Sequence, residues 1–518
     1  MTHTTQLTSL AFVVVLLSLL GSLAQGSSAP STTANHARYR LVDLGTFGGP
    51  LSIISFFERG AINRAGSVVG GADTSIPDPY FPNCIFSPNC VVHHTFKWKH
   101  GVLSDLGALP GTNSSYAWWI NERGWVAGGS QNGAIDPLTG IPEGRAVLWQ
   151  KGEIVDLGTL GGNQSNAFGV NNEGQATGFA LNTTPTPWGL VFPYGTEERA
   201  FLWQNGLMKD LGTLGGPGSV GLYINDRGHV AGASFTSDST DPATGIPPVE
   251  PFFWDGRKMR RIGTLGGVWG QAFDLNNRDQ VMGTSSTAEA PGACLTVQLG
   301  CHAFLWEHGV IKDLKTLGGT FSFPTMLNER GDVVGAANTA NDQTVRAVRW
   351  RNDAIKDLGG VDGDPCSFAW GQNNKGQIVG ISVPMCDLSL APRAFLWEDG
   401  EMIDLNTRIP ADSNFQLVYA AAINESGVIA GIGLPPGISP ADVELLGHAF
   451  VLIPCERNDS SCEDSAPQVA APAVNNQASR SSSSISVTHN NAASETLAAF
   501  RAQALARQRR GFGSWSRK

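Results

Sequence analysis

Leu211-Gly212-Thr213-Leu214-Gly215-Gly216, then Tyr223-Ile224-Asn225-Asp226-Arg227-Gly228-His229-Val230-Ala231-Gly232, then Phe252-Phe253-Trp254-Asp255-Gly256 form one copy of a sentence that recurs eight times between Asp43 and Leu452. A period of about 50 residues marks a propeller or a solenoid. Each copy offers four short strands, here called b, c, d and a in chain order. Strand b ends at Asn63, Asn121, Asn171, Asn225, Asn276, Asn328, Asn373 or Asn424, and three residues later stands Gly in every copy but one, which has Asp279. Asn at the first and Gly at the fourth position suit a type I turn whose last residue is left-handed. Turn geometry therefore accounts for both residues, and Asp tolerates that region better than most side chains. Strand c follows, as in Val333-Val334-Gly335, and strand d is aromatic, as in Ala200-Phe201-Leu202-Trp203. A Gly turn then leads into strand a, which ends in Asp-Leu-Gly. Alternating apolar positions between Gly turns are what packed antiparallel strands require, so the d-strand tryptophans from Trp98 to Trp397 are core residues.

Four antiparallel strands per copy predict an all-β chain and a β-propeller of eight four-stranded blades over residues 38–454, with seven blades as the alternative. The ends of the repeat favour closure. The chain enters with a lone strand a at Tyr39–Asp43 and leaves with a lone strand d at His448–Leu452, two halves of one hairpin. An open solenoid needs capping units instead.

Comparing copies exposes a pair. Four residues before the d-strand Trp stands His94, Arg145, Arg199, His302, Arg346 or Arg393, and eleven residues on stands Asp105, Asp156, Asp210, Asp313, Asp357 or Asp404. One copy has Glu250 and Arg261 instead, both signs reversed together. Independent drift seldom inverts both members, so the two positions are expected to touch across the d–a hairpin. His448 has no strand a of its own, and closure assigns it Asp43. A half-buried pair of this kind is worth about 1 kcal/mol, with register its larger contribution. The alternative, a ring of His and Arg gripping an anion, is disfavoured by Glu250.

The chain of 518 residues carries 63 Gly, only 15% charged residues and a net charge of −10. That balance argues against nucleic acid, which needs a basic footprint. Residues 1–24 read as a signal peptide, with an apolar run from Leu10 to Leu20 too short to span a bilayer and a small-x-small site at Ser22-Leu23-Ala24. An uncleaved anchor is the alternative, because the first residues lack Lys and Arg. Residues 25–37 form a short lead. No transmembrane span is expected after cleavage, which makes the protein secreted, extracellular or periplasmic, and a monomer. The eight cysteines fall into four local couples, Cys84/Cys90, Cys294/Cys301, Cys366/Cys386 and Cys455/Cys462. Eight allow 105 connectivities, and neighbour pairing is the economical one in an oxidising compartment. Residues 455–518 read as a disordered tail rich in Ser, Ala and Asn. Its end, 496–518, carries six Lys and Arg and no acid, either a solubilising tail or an amphipathic helix docking on an envelope surface.

Function is less legible. The words Ala-Phe-Leu-Trp, Ile-Asn-x-x-Gly-x-Val-Val-Gly and Asp-Leu-Gly-Thr-Leu-Gly-Gly, with His302-Ala303-Phe304 and His448-Ala449-Phe450, resemble the HAF-repeat family of predicted extracellular bacterial proteins over residues 38–453. The resemblance implies a secreted repeat protein and brings no activity. A looser likeness to kelch repeats implies only the propeller, and fold does not imply function. No His-Glu-x-x-His, Gly-x-Ser-x-Gly or phosphate loop is present. No cofactor is expected; Asp362-Gly363-Asp364 hints at calcium without the rest of a binding loop. The c–d loops vary most in length, and variable loops on a rigid frame are where recognition sits. Two share a phrase, Asp136–Pro142 and Asp241–Pro247, read as a common loop conformation. Trp118, Trp119, Trp269 and Trp370 on b strands, with Trp188 and Tyr80 in inserts, are candidate platforms for a glycan or protein ligand. The expected function is a non-catalytic binding scaffold. A polysaccharide hydrolase or lyase with channel carboxylates, and a structural envelope component, are the alternatives.

Overall fold

The computed structural model describes residues 37–455 except 55–57, 82–83, 243, 293, 295–299, 388–389 and 391, together with 468–469 and 471–472. The signal segment, most of the lead, the basic tail end and Cys462 lie outside the described residues. The fold is nearly all β and is a propeller. In the third unit b (Ser165–Val170), c (Ala176–Pro185), d (Thr196–Gln204) and a (Leu207–Asp210) pair antiparallel in that order. The same b-c-d-a order recurs through eight strand sets. They form seven hydrogen-bonded sheets because one parallel bridge, Val249 to Trp269, joins the fourth and fifth sets. In the last set strand a is supplied by the start of the chain. Tyr39–Asp43 runs antiparallel to His448–Pro454, with Leu41 opposite Leu452.

The aromatic word of strand d fills the space between neighbouring sheets. Trp98, Trp149, Trp203, Trp254, Trp306, Trp350 and Trp397 are all buried, and Phe201 is fully so. Phe201 and Trp203 share a cluster with Ala146 and Leu148 of the preceding unit. Burying one such ring contributes about 2–3 kcal/mol, repeated at each junction. Hydrogen bonds cross the same junctions. Ser115, Ser165, Ser219, Ser322, Ser367 and Ser52 on b strands each accept a backbone N–H from strand d of the preceding unit, at 2.9–3.0 Å. At the junction of units four and five the d residue is Pro251, which has no N–H, and the b residue is Gly270. Donor and acceptor are missing together.

The Asn–Gly turns form as expected. Asn121 accepts the Gly124 N–H at 3.0 Å, and Gly124 has φ +76°. Asp279 adopts the same left-handed conformation, φ +62°. Each Asn also reaches beyond its turn. Asn121 Nδ2 donates to the Asn171 carbonyl at 2.8 Å, Asn171 to Asn225 at 2.9 Å, and Asn424 to Asn63 at 3.2 Å, which joins the last unit to the first. Seven of the eight bond the next Asn carbonyl; Asn328 turns to Gln372 Oε1 instead, because Gln372 replaces the aliphatic residue that precedes the other Asn residues. Bonds between the ends of successive b strands make b the innermost strand.

The basic–acidic positions meet at 2.9–3.8 Å in His94–Asp105, Arg199–Asp210, Arg261–Glu250, His302–Asp313, Arg346–Asp357, Arg393–Asp404 and His448–Asp43. Arg145 departs from the expectation. Its guanidinium pairs with Glu143, two residues back on the same strand face, at 3.3 Å rather than with Asp156. Arg199 also engages Glu197 at 3.3 Å, so the cleanest test is unit four. Glu250→Arg or Arg261→Glu alone should cost about 0.5–1 kcal/mol, and the double reversal should recover most of the loss in denaturant melts. An additive double would show the pair uncoupled.

Three disulfides have both partners among the described residues: Cys84–Cys90, Cys294–Cys301 and Cys366–Cys386. Part of the segment read as tail is ordered against the sheets. Gln468–Val469 runs parallel to Tyr39–Asp43, and Ala471–Pro472 parallel to Val102–Gly107. These outer a strands otherwise present unpaired backbone groups, which a fifth strand satisfies. Among the described residues, no helix is long and apolar enough to cross a membrane.

Candidate functional site

Antiparallel alternation puts the b–c and d–a turns on one face, and the a–b links and c–d loops on the other. On the turn face the eight b strands surround a funnel of about 210 Å³. Its wall carries the residues before each Asn, Ile120, Val170 and Ile224 among them, and its rim the residues after. The rim alternates carboxylates, Glu122, Asp226, Glu329 and Glu425, with Arg64, Asn172, Asn277 and Asn374. Rim side chains accept backbone N–H groups from the preceding unit: Glu122 from Arg64 at 3.0 Å, Asp226 from Asn172 at 2.9 Å, Glu329 from Asn277 at 3.1 Å and Glu425 from Asn374 at 3.0 Å. These carboxylates tie successive turns together, which leaves them poorly placed as a general acid and base.

Deeper along the axis, aromatic side chains fill the interior. Trp118, Trp269 and Trp370 are 7%, 4% and 6% exposed. Trp118 Nε1 donates to Asn166 at 2.9 Å, its ring lies edge-on to Phe168, and Trp370 stacks on Phe368. Burial takes these three rings out of reach as platforms. Trp119 is half-buried and lines the turn-face funnel, edge-on to Tyr223, away from the variable loops. Trp188 packs partly buried against the central cluster, and Tyr80 is half-buried, its phenol pushed up chiefly by burial and then by Asp78. The weak calcium signal resolves into an ion-pair knot: Arg393 reaches both Asp362 and Asp364 at 2.8 Å. Among the described residues no group of three or more His, Cys, Asp or Glu is placed to hold a metal ion.

On the loop face the c–d inserts divide into two kinds. The inserts of units three to five fold inward: Leu190, Ile246 and Cys294 are buried in the central cluster. Beneath the first lies a group that sequence reasoning missed. Glu198, 1% exposed, accepts backbone N–H groups from Leu190, Val191 and Phe192 at 2.6, 3.0 and 2.9 Å. The available signal was its position: five before the d-strand Trp, other units place Gly144, Val249, Cys301, Val345 or Pro392, and only unit one has another polar residue, His93. Burial pushes the Glu198 carboxyl up to about 7, against the downward pull of the three N–H groups. A raised carboxyl favours the folded state below about pH 4.5, and that advantage is lost as pH rises through about 7. The stability of the wild type relative to Glu198→Gln should therefore fall by roughly 3 kcal/mol between pH 4.5 and pH 8. Parallel urea melts read it, and a constant difference would refute it.

The inserts of units seven, eight, one and two instead hold apolar side chains out to solvent, although Cys386 and Phe86 also reach the central cluster. Of the eleven large apolar side chains exposed among the described residues, eight belong to these four consecutive units on the loop face: Met385, Leu390, Leu445, Ile76, Phe81, Ile85, Ile135 and Leu138. Phe81 is 68%, Leu138 63% and Met385 73% exposed. The inserts of units eight and one touch, Asn89 Nδ2 donating to the Leu445 carbonyl at 2.9 Å. The loops that carry these side chains are held rather than loose. Asp136 caps its own loop through the Leu138 N–H at 2.8 Å, while Gly140 bonds back to the Asp136 carbonyl. Asp241 repeats that conformation with Gly245 at 2.8 Å, as the shared phrase implied.

No family model matches the sequence, so the HAF-repeat resemblance stands on its motifs. No curated protein matches it either. Solved structures with a similar course include a puromycin-hydrolyzing peptidase of Mycobacterium tuberculosis, at 12% identity and TM-score 0.37, covering 76% of this chain and 62% of that one. An acylaminoacyl peptidase of Pyrococcus horikoshii aligns at 11% identity and TM-score 0.38, covering 74% and 58%. A polysaccharide lyase, ulvan lyase, aligns at 10% identity and TM-score 0.30, covering 76% and 93%. The chain thus spans about three fifths of the length of the two peptidases, and likenesses of this degree carry no argument about activity or ligand.

Proposed function

We propose that this protein is a non-catalytic binding scaffold that works outside the cytoplasm and engages a protein ligand through its loop face. One observation carries this reading: the clustering of exposed apolar side chains on the c–d inserts of units seven, eight, one and two. Soluble proteins rarely leave such an arc uncovered unless something docks there. Met, Leu, Ile and Phe on capped loops suit an apolar peptide or protein surface. A glycan would instead need several exposed aromatic faces; among the described residues of the arc Phe81 is the one exposed ring, while Trp118, Trp269 and Trp370 are buried and Trp119 lies half-buried on the turn face. Three disulfides accord with an oxidising compartment.

The test selects peptides from a displayed library on the purified protein and measures their affinity for wild type and for Phe81→Asp/Leu138→Asp. Both sites are exposed, so the fold should tolerate the change. The expected result is peptides enriched in apolar residues that bind the variant at least tenfold more weakly, with a glycan array silent. Glycans that bind wild type and variant equally would overturn the reading.

A further inference from the structure

We infer that the apolar arc on the loop face is covered, in the free protein, by the basic C-terminal segment of this same chain, residues 496–518. This rests on the reading of the arc as a docking surface and names its resident occupant.

Three observations converge. The first is where the chain goes. Gln468–Val469 lies on the outer edge of unit eight and Ala471–Pro472 on the outer edge of unit one, the two middle units of the arc. Both short strands run parallel to a strands, which lead toward the a–b links on the loop face. Pro472 pairs with Leu103, close to the d–a turn on the outer edge of unit one, and the strand direction there points toward the loop face. The second is reach. The 23 residues from 473 to 495, rich in Ser and Asn, span on the order of 25 Å as a flexible linker and up to about 75 Å extended. Either distance carries the chain from the outer edge onto the loop face.

The third is chemistry. The inserts 78–90, 136–141, 384–392 and 435–447 contain five carboxylates and neither Lys nor Arg. Asp387, Asp442 and Glu444 are the exposed or partly exposed ones, on units seven and eight. Residues 496–518 contain Arg501, Arg507, Arg509, Arg510, Arg517 and Lys518 without an acid, interleaved with Leu497, Phe500, Leu505, Phe512 and Trp515. Apolar side chains among cations complement an apolar arc with acidic neighbours. Tethering supplies millimolar effective concentration, so a weak contact suffices to keep the arc covered. An external ligand must then displace the segment.

Hydrogen exchange on the full-length protein, with no partner added, tests this. Amides of 496–518 should exchange at least tenfold more slowly than an isolated peptide of that sequence. Phe81→Ser/Leu138→Ser, which removes apolar surface without adding charge, should abolish that protection. Conversely, Arg501→Glu/Arg507→Glu/Arg509→Glu/Arg510→Glu should speed exchange in the inserts at 78–87 and 440–446 at least tenfold. Tail amides exchanging at the free-peptide rate would overturn the inference, as would protection that arises only on adding phosphatidylglycerol vesicles, the mark of a membrane-binding tail. Neither result touches the peptide-selection experiment, which reads the arc itself.

Discussion

Gly232→Ala is expected to destabilise the protein by about 3 kcal/mol or more. Gly232 lies on strand c opposite Gly221, where strand b carries a bulge between Gly221 and Tyr223. The bulge drives the Val220 carbonyl toward strand c, and a Cβ on Gly232 would sit 1.9 Å from that oxygen. On the other side it would meet the Phe252 ring at 2.9 Å. Backbone cannot retreat without breaking the ladder, whereas a ring can tilt. Gly232→Ala/Phe252→Ala should therefore fail to recover the loss, and a rescue would show the ring, not the bulge, to be the constraint. All eight units share the arrangement. A Cβ on Gly70, Gly128, Gly178, Gly283, Gly335, Gly380 or Gly431 would likewise lie 1.8–2.1 Å from a strand-b carbonyl. Glycine inside a strand marks such close approaches.

That bulge also explains what could and could not be read from the residues. The four-stranded unit, its turns and the d-strand core follow from local pattern, because each depends on neighbours within a few positions. The paired charges were legible for a different reason: Glu250 and Arg261 invert together, and eight copies in one chain act as their own comparison. Pro251 and Gly270 carry the same kind of signal across a unit boundary. The orientation of Trp118 and Trp119 was not legible. A bulge between Ala117 and Trp119 breaks the two-residue alternation, so period alone cannot say which ring faces inward. Glu198 was hidden because its three partners come from an irregular insert, whose path no repeat dictates. The outward apolar arc was likewise invisible, since burial of an insert depends on the loops beside it.

Asn121→Asp should cost about 3 kcal/mol at neutral pH and less in acid, while Asn121→Ala should cost about 2–3 kcal/mol with no such pH dependence. The Asn121 side chain is 4% exposed and makes three hydrogen bonds. Its Oδ1 accepts from Arg123 N–H at 3.0 Å and Trp125 N–H at 2.9 Å, which any turn-forming Asn does. Its Nδ2 donates to the Asn171 carbonyl of the next unit, which a turn does not require. Aspartate preserves both acceptor bonds and replaces the donor by a second oxygen facing that carbonyl. Ionised, it is a buried charge against a lone pair; protonated, its O–H can donate as the amide does. The aspartate carboxyl is thus raised in the folded state, so its stability is present in acid and lost as pH rises. Alanine orphans two N–H groups and a carbonyl at every pH. Melts of the two variants at pH 4 and pH 7.5 separate the roles. If Asn121→Asp were as stable as wild type at pH 7.5, the turn alone would account for the residue, and the bond to Asn171 would contribute nothing to holding adjacent units together.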